Sequence, residues 1–348
     1  TAARRLATDI MQIRRDPFDL TQPSRPPLWW IGTLGAVVLG AVFLIATWAK
    51  ALDPEAFAGQ IRAEGLEIGL PAATLAWIVL ALEAGLGTAL LLNVRRLWVL
   101  VPTALLVVFF LFLTGRNFYR AENGLLTETT SCGCFGNLVD RTPAEAFWWD
   151  LGLLGAPLLL CFVGMPRRVR QVPLARTALA VAAAAGAVAF AVRAPELPLD
   201  DLATRLKPGV EIKNLCAGKG STALCLDNLA ERIARGQHLV VMADLDDPSF
   251  TRSIDSLNAY ADTGRSPELV VLSASAPERH KAFRWKWGPS FEVLEVPEAM
   301  LRPLYRRLPR SFEVVDGRVK DTFPGLPPLP AAPPTAAAAP VAAAAPPA

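Results

Sequence analysis

Histidine is almost missing from this chain: 348 residues hold two, His238 and His280. A zinc centre built on imidazole would need more ligands than these supply. No haem-ligand pattern and no flavin motif is present. Charge is sparse, at 19% of residues, and a net charge of +3 is too small and too scattered to follow a nucleic acid backbone. Residues 1–27 are mostly polar, so no cleavable leader is expected at the start. What the chain has in quantity is apolar residues, 52% of the total, and they are grouped into blocks. Grouping of that kind points to an integral membrane protein.

Five runs are long enough to span a bilayer: Leu28–Ala49, Pro71–Leu92, Leu97–Thr114, Phe147–Met165 and Leu174–Val192. The first carries Trp29, Trp30 and Trp48 near its ends, where hydrocarbon meets headgroup. The N-terminal segment, the link Asn93-Val94-Arg95-Arg96 and the link 166–176 are rich in arginine. Loops 50–70 and 115–146 instead mix in Asp53, Glu55, Glu64, Glu67, Glu122, Glu128, Asp140 and Glu145. The positive-inside rule then predicts a cytoplasmic N-terminus, five spans and an external C-terminal half.

Glu83 lies near the middle of the second run, in Leu80-Ala81-Leu82-Glu83-Ala84-Gly85-Leu86-Gly87. A carboxyl at that depth is protonated, paired or turned to a polar cavity. It can be a proton carrier or a polar contact to a quinone. Equally, it can be an interhelical hydrogen bond beside small residues. Arg116 and Arg120 would be its partners if the bundle brought them down to it.

Between the third and fourth runs stands Thr130-Ser131-Cys132-Gly133-Cys134-Phe135-Gly136. Two thiols one residue apart can form a strained disulfide and exchange it readily. A fixed disulfide and half of a metal site are the alternatives. Cys161, inside the fourth run, reads as a small buried apolar residue.

Taken together, the Glu-x-Gly in the second span, the arginines leaving the third and Cys-Gly-Cys-Phe-Gly before the fourth resemble the MauE/DoxX family of redox-associated membrane proteins. The resemblance covers residues 28–165. It implies a four-helix bundle similar to the disulfide-forming membrane oxidases, set in a bacterial inner membrane. Cys132 and Cys134 would be its catalytic redox pair, and a periplasmic protein or a larger membrane complex its partner. In those oxidases electrons pass to a quinone, the one cofactor this analogy leaves.

After Arg193-Ala194-Pro195 the composition becomes that of a globular domain. Gln237-flanked His238–Ala243 and Glu268–Ser273 read as buried strands, and Phe291–Val296 as a third. Helical periodicity covers 247–262 and 277–287. Ser311–Val315 and Arg318–Thr322 form a hairpin on Asp316-Gly317. This β-α-β-α-β-β order, with Leu308-Pro309-Arg310 before the hairpin, resembles a thioredoxin fold over residues 206–325, and implies a cis peptide at Pro309. The family's Cys-x-x-Cys is replaced here by Leu245-Asp246-Asp247-Pro248-Ser249-Phe250. Cys216 and Cys225 close a short loop upstream, as a structural disulfide or as a relay to the other pair. Trp285 and Trp287 read as a core edge or a surface patch. Residues 326–348 are nearly all Pro and Ala and cannot bury a core.

The expected architecture is therefore a four-helix membrane domain (28–165), a fifth transmembrane helix (174–193) and an α/β thioredoxin-like external domain. The expected activity is thiol–disulfide exchange at the periplasmic face, which would make the chain an oxidoreductase. The competing reading is an accessory or scaffold subunit whose external domain docks a partner. Partners of either would include the lipid bilayer and exclude nucleic acid.

Overall fold

Unbroken apolar runs become helices because a helix satisfies its own backbone groups where water is absent. The computed structural model describes residues 27–67, 69–124, 141–165, 172–217 and 223–329, and places helix over every run. The order is α1 (Pro27–Leu52), α2 (Pro54–Ala63), α3 (Ala72–Leu91), α4 (Leu97–Glu122), α5 (Pro143–Asp150), α6 (Ala156–Val163) and α7 (Leu174–Arg193). Among the described residues, five helices are long and apolar enough to cross a membrane, with α5 and α6 forming one of them. The N-terminal segment 1–26, the Cys132–Cys134 stretch and the Pro/Ala stretch 330–348 lie outside the described residues.

α5 starts on a capping box, in which Glu145 N donates to Thr142 Oγ1 at 3.2 Å and Thr142 N donates to Glu145 Oε2 at 3.0 Å. It runs into α6 through a π-turn at Leu151–Gly155. Pro157 lacks an N–H and would clash with the carbonyl one turn earlier, and the wider turn makes room for it. α1 is central, packing along α3 and α6, while α3 packs along α7. A Cβ on Gly40 would lie 2.7 Å from the Gly87 carbonyl oxygen, so α1 and α3 meet backbone to backbone there. The outer surface of the bundle keeps Trp30, Leu34, Leu105, Val108, Phe112 and Leu159 exposed, an apolar surface suited to lipid.

The C-terminal half is a mixed sheet domain. A two-stranded antiparallel piece, β1 (Cys216–Ala217) with β2 (Leu224–Cys225), precedes a five-stranded sheet. That sheet contains β3 (Gln237–Met242), β4 (Glu268–Ser273), β5 (Glu292–Glu295), β6 (Arg310–Val315) and β7 (Arg318–Phe323) in the order β5-β4-β3-β6-β7. β3, β4 and β5 are parallel, β6 is antiparallel to β3, and β7 to β6. Alternation along β3 divides the core. Val240 and Met242 face a cluster with Leu206, Leu215, Leu226 and Phe312, while Leu239 and Val241 face one with Phe250, Leu257 and Phe283. The second cluster is supplied by α8 (Ile254–Asp262) and α9 (Pro277–Trp287). Both faces are covered, which explains why β3 and β4 read as continuous apolar runs. The β6–β7 turn takes positive φ at Asp316 (46°) and Gly317 (74°), the primed geometry that matches strand twist.

Several expectations need correction. The loop 50–70 contains a helix, α2, started by Asp53, whose carboxylate accepts from Ala56 N at 3.0 Å. The third span continues past Thr114 to Glu122. The helix over 247–262 is two pieces, Pro248–Thr251 and α8, because Arg252 and Ser253 interrupt it. Trp285 is not a core edge: it is 93% exposed, while Trp287 packs partly on the core beside Phe283.

Candidate functional site

Glu83 is fully buried, and Arg116 and Arg120 are not its partners. The partner is Lys50, from the last turn of α1, whose ammonium forms a salt bridge with Glu83 Oε1. Lys50 is itself 4% exposed. Its Nζ lies 4.8 Å from the ring centre of Phe110 and 5.2 Å from that of Phe57. Aromatic faces carry negative charge density, so both rings stabilise the ammonium. Arg116 instead forms a salt bridge with Glu64 at the end of α2, and Asn117 Nδ2 donates to the other oxygen of Glu64 at 2.7 Å. Lys50, Phe57, Ile61, Glu64, Phe110 and Asn117 line a small cavity of about 90 Å³ between α2 and α4. Small-molecule pockets usually begin at about 300 Å³. Glu83, engaged by Lys50, does not line this cavity and so offers no polar contact to a ligand held there.

A second site lies where the sheet domain meets α2. Arg302 Nη1 is 3.5 Å from Asp53 Oδ2, and Arg307 Nη2 is 3.8 Å from Glu55 Oε1. Burial raises the Asp53 carboxyl above the ordinary carboxylate range, against the opposing pull of Arg302. Arg306 ties the same loop to the end of α7, donating to the Ala194 carbonyl at 2.6 Å and the Leu197 carbonyl at 3.2 Å. A cleft of about 700 Å³ opens here, lined from α2 by Glu55 and Arg62 and from the sheet domain by Asp244, Asp247, Tyr305 and Leu308. The Leu308–Pro309 peptide is cis and leads directly into β6. The loop after β3, Leu245-Asp246-Asp247-Pro248, therefore shares the cleft with the turn before Pro309. It carries no thiol, and Asp246 forms a salt bridge with Arg279.

Arg310 is the largest fully buried side chain in the sheet domain. It donates to Thr204 Oγ1 (2.6 Å), the Leu304 carbonyl (2.7 Å), Asp201 Oδ1 (3.0 Å) and the Leu206 carbonyl (3.3 Å). It thereby fixes the connection from α7 against β6. Sequence reasoning missed Arg310 and Lys50, because each ends an apolar or polar stretch in a way that looks like an ordinary flank. The one available signal for Lys50 was an uncompensated acid in a neighbouring span.

The cysteines divide by location. Cys216 and Cys225 are joined, directly opposite each other in the β1–β2 pair. A closed loop of that size stabilises the fold by about 2–3 kcal/mol. Cys161 is fully buried between helices, where it packs as a small apolar side chain. His238 and His280 are each buried in the sheet domain. The ends of the segment holding Cys132 and Cys134 are described. α4 leads to one, seven residues beyond the Asn117 bond to Glu64, and α5 follows the other, with Phe147 stacked on Phe118. Both are at the end of the bundle that carries the sheet domain.

No curated protein matches the chain. Residues 28–190, just under half of it, match the family model described as Methylamine utilisation protein MauE, a stretch that takes in almost all of the five apolar helices.

Proposed function

We propose that the chain is a membrane-anchored thiol–disulfide redox protein acting through Cys132 and Cys134. One observation carries this reading. Of the five cysteines, two are consumed in the Cys216–Cys225 bond and one is sealed inside the bundle, leaving Cys132 and Cys134 for exchange. The MauE match over the bundle supports it. In the exchange, the Cys132 thiolate attacks a partner disulfide, forms a mixed disulfide and releases one partner thiol. The Cys134 thiolate then attacks Cys132 Sγ, releases the second partner thiol and closes Cys132–Cys134. Two electrons and two protons pass to the partner, and the reverse sequence oxidises a partner dithiol.

The sheet domain is read as thioredoxin-like. Its strand order and the antiparallel β6 and β7 support this. Without a thiol after β3, ordinary dithiol exchange at that loop is ruled out. The arginine loop that meets α2 supports a role as a fixed cap or docking module on the bundle. The arginine-rich links favour a cytoplasmic N-terminus and a sheet domain on the opposite side, and the resemblance to MauE implies that this side is a bacterial periplasm holding the partner. A second reading, an accessory subunit that docks a partner without redox chemistry, is favoured by the thiol-free loop.

Thiol trapping in intact cells separates the two. Exchange predicts that Cys132–Cys134 is found both oxidised and reduced, and that Cys134→Ser accumulates a mixed disulfide on Cys132. A pair that is always oxidised, with fully functional Cys132→Ser and Cys134→Ser variants, would establish the accessory role.

A further inference from the structure

We propose that Lys50 and Glu83 form a proton-exchange site inside the bundle, entered from the sheet end through the cavity that Lys50 lines. It is independent of the thiol exchange proposed above, and either can fail alone.

An ion pair this deep is not what packing alone would select. Apolar residues of similar volume serve a buried position as well or better, and an ionisable group within a membrane span marks function more often than stability. The carboxylate is also used unevenly. Oε1 is taken by Lys50, while Oε2 is buried and accepts no hydrogen bond. Thr47 lies against the carboxylate, and its hydroxyl is shared between Glu83 and the Phe43 carbonyl, to which it donates at 2.9 Å. Glu83 therefore keeps an open position for a proton.

Lys50 stands between that carboxylate and the cavity. The surrounding charges are otherwise occupied: Glu64 of α2 with Arg116 of α4, and Asp53 with Arg302 of the sheet domain. α7 contributes Phe190 and Ala191, which are apolar, next to Leu80 and Ala51. Transfer balances simply. Lys50 Nζ passes a proton to Glu83, giving a neutral amine and a neutral acid. The amine then takes a proton from a hydronium ion delivered through the cavity, which leaves as water, so the site has gained one proton. Release runs backward along the same atoms. The rings of Phe57 and Phe110 stabilise the ammonium before transfer and again once the amine is reprotonated.

Infrared spectroscopy on the full chain in lipid nanodiscs tests this through the stretching band of a protonated buried carboxyl. The wild type, with ¹³C-labelled glutamate, should show an isotope-shifted band that grows and fades with pH. The band should be lost in the Lys50→Met/Glu83→Gln double variant. Leu113 also lines the cavity, and Leu113→Trp, which narrows it, should slow deuterium exchange of the band several-fold without moving its midpoint. Should the double variant fail to fold, Lys50→Arg keeps the charge and should shift the midpoint. A wild-type spectrum with no titrating buried glutamate overturns the proposal, as does a band that survives in the folded double variant. With the double variant unfolded, an unmoved midpoint in Lys50→Arg does the same. An unchanged exchange rate in Leu113→Trp overturns the entry route.

Discussion

A double-mutant cycle on Lys50 and Glu83 tests whether the buried pair acts as one energetic unit. Lys50→Met keeps the length of the side chain and removes the ammonium, leaving a fully buried carboxylate without its charged partner. Glu83→Gln leaves a lysine 4% exposed with two aromatic rings and a neutral amide around it. Removing one member of a buried pair costs about 3–5 kcal/mol, because the remaining charge is uncompensated. Removing both leaves an uncharged contact of similar volume, and the double variant should fall within about 1 kcal/mol of the wild type. The coupling energy is then at least about 5 kcal/mol, well beyond the few tenths seen for independent sites. Reversible unfolding of the full chain in mixed micelles, followed by far-UV circular dichroism, gives all four corners. Single variants each costing under about 1 kcal/mol, with an additive double variant, would refute the reasoning.

Two other predictions concern the sheet domain and its contact with α2. Arg310→Met should destabilise the domain by about 3–5 kcal/mol, since Thr204, Leu304 and Leu206 lose a charged donor in a buried place. Pulse proteolysis of the full chain measures this, and a loss under about 1 kcal/mol would contradict the burial and bonding described. Asp53 gives a pH signature. Its folded carboxyl is raised above the unfolded value of about 4, so its contribution to stability is present below that value and is lost as pH rises through the folded one. Asp53→Asn removes this loss, so the melting temperature of the variant should rise relative to the wild type as pH increases through that window. A relative fall would show that the Arg302 pairing outweighs burial.

Much of the fold was legible because it depends on local pattern. The apolar runs had to be helical, and their lengths set the spans to within a few residues except at the end of α4, where Arg116, Asn117 and Arg120 continue the helix in polar surroundings. α2 escaped notice because Pro54–Ala63 is short and only partly apolar, and its helix is fixed by the Asp53 cap and by Ala58 and Ile61 packing on α3. Glu83 was singled out from its depth alone. Its partner was not, since 33 residues separate Lys50 from it and nothing in the spacing joins them.

The sequence by itself determined which segments enter lipid, which strands are buried on both faces, where the hairpin turns and which cysteines are too close to be ignored. These follow from hydrophobic period, chain length and the φ/ψ each residue tolerates, all of which are properties of neighbours along the chain. Only the tertiary structure decided that Lys50 meets Glu83, that Arg116 serves Glu64, that Arg302, Arg306 and Arg307 seat the sheet domain on the bundle, and that Arg310 locks the connection behind it. Most of those contacts join a charge to a group far away in sequence. A buried or half-buried charge settles on whichever opposite charge the packing of apolar faces brings within reach, and that packing belongs to the whole fold.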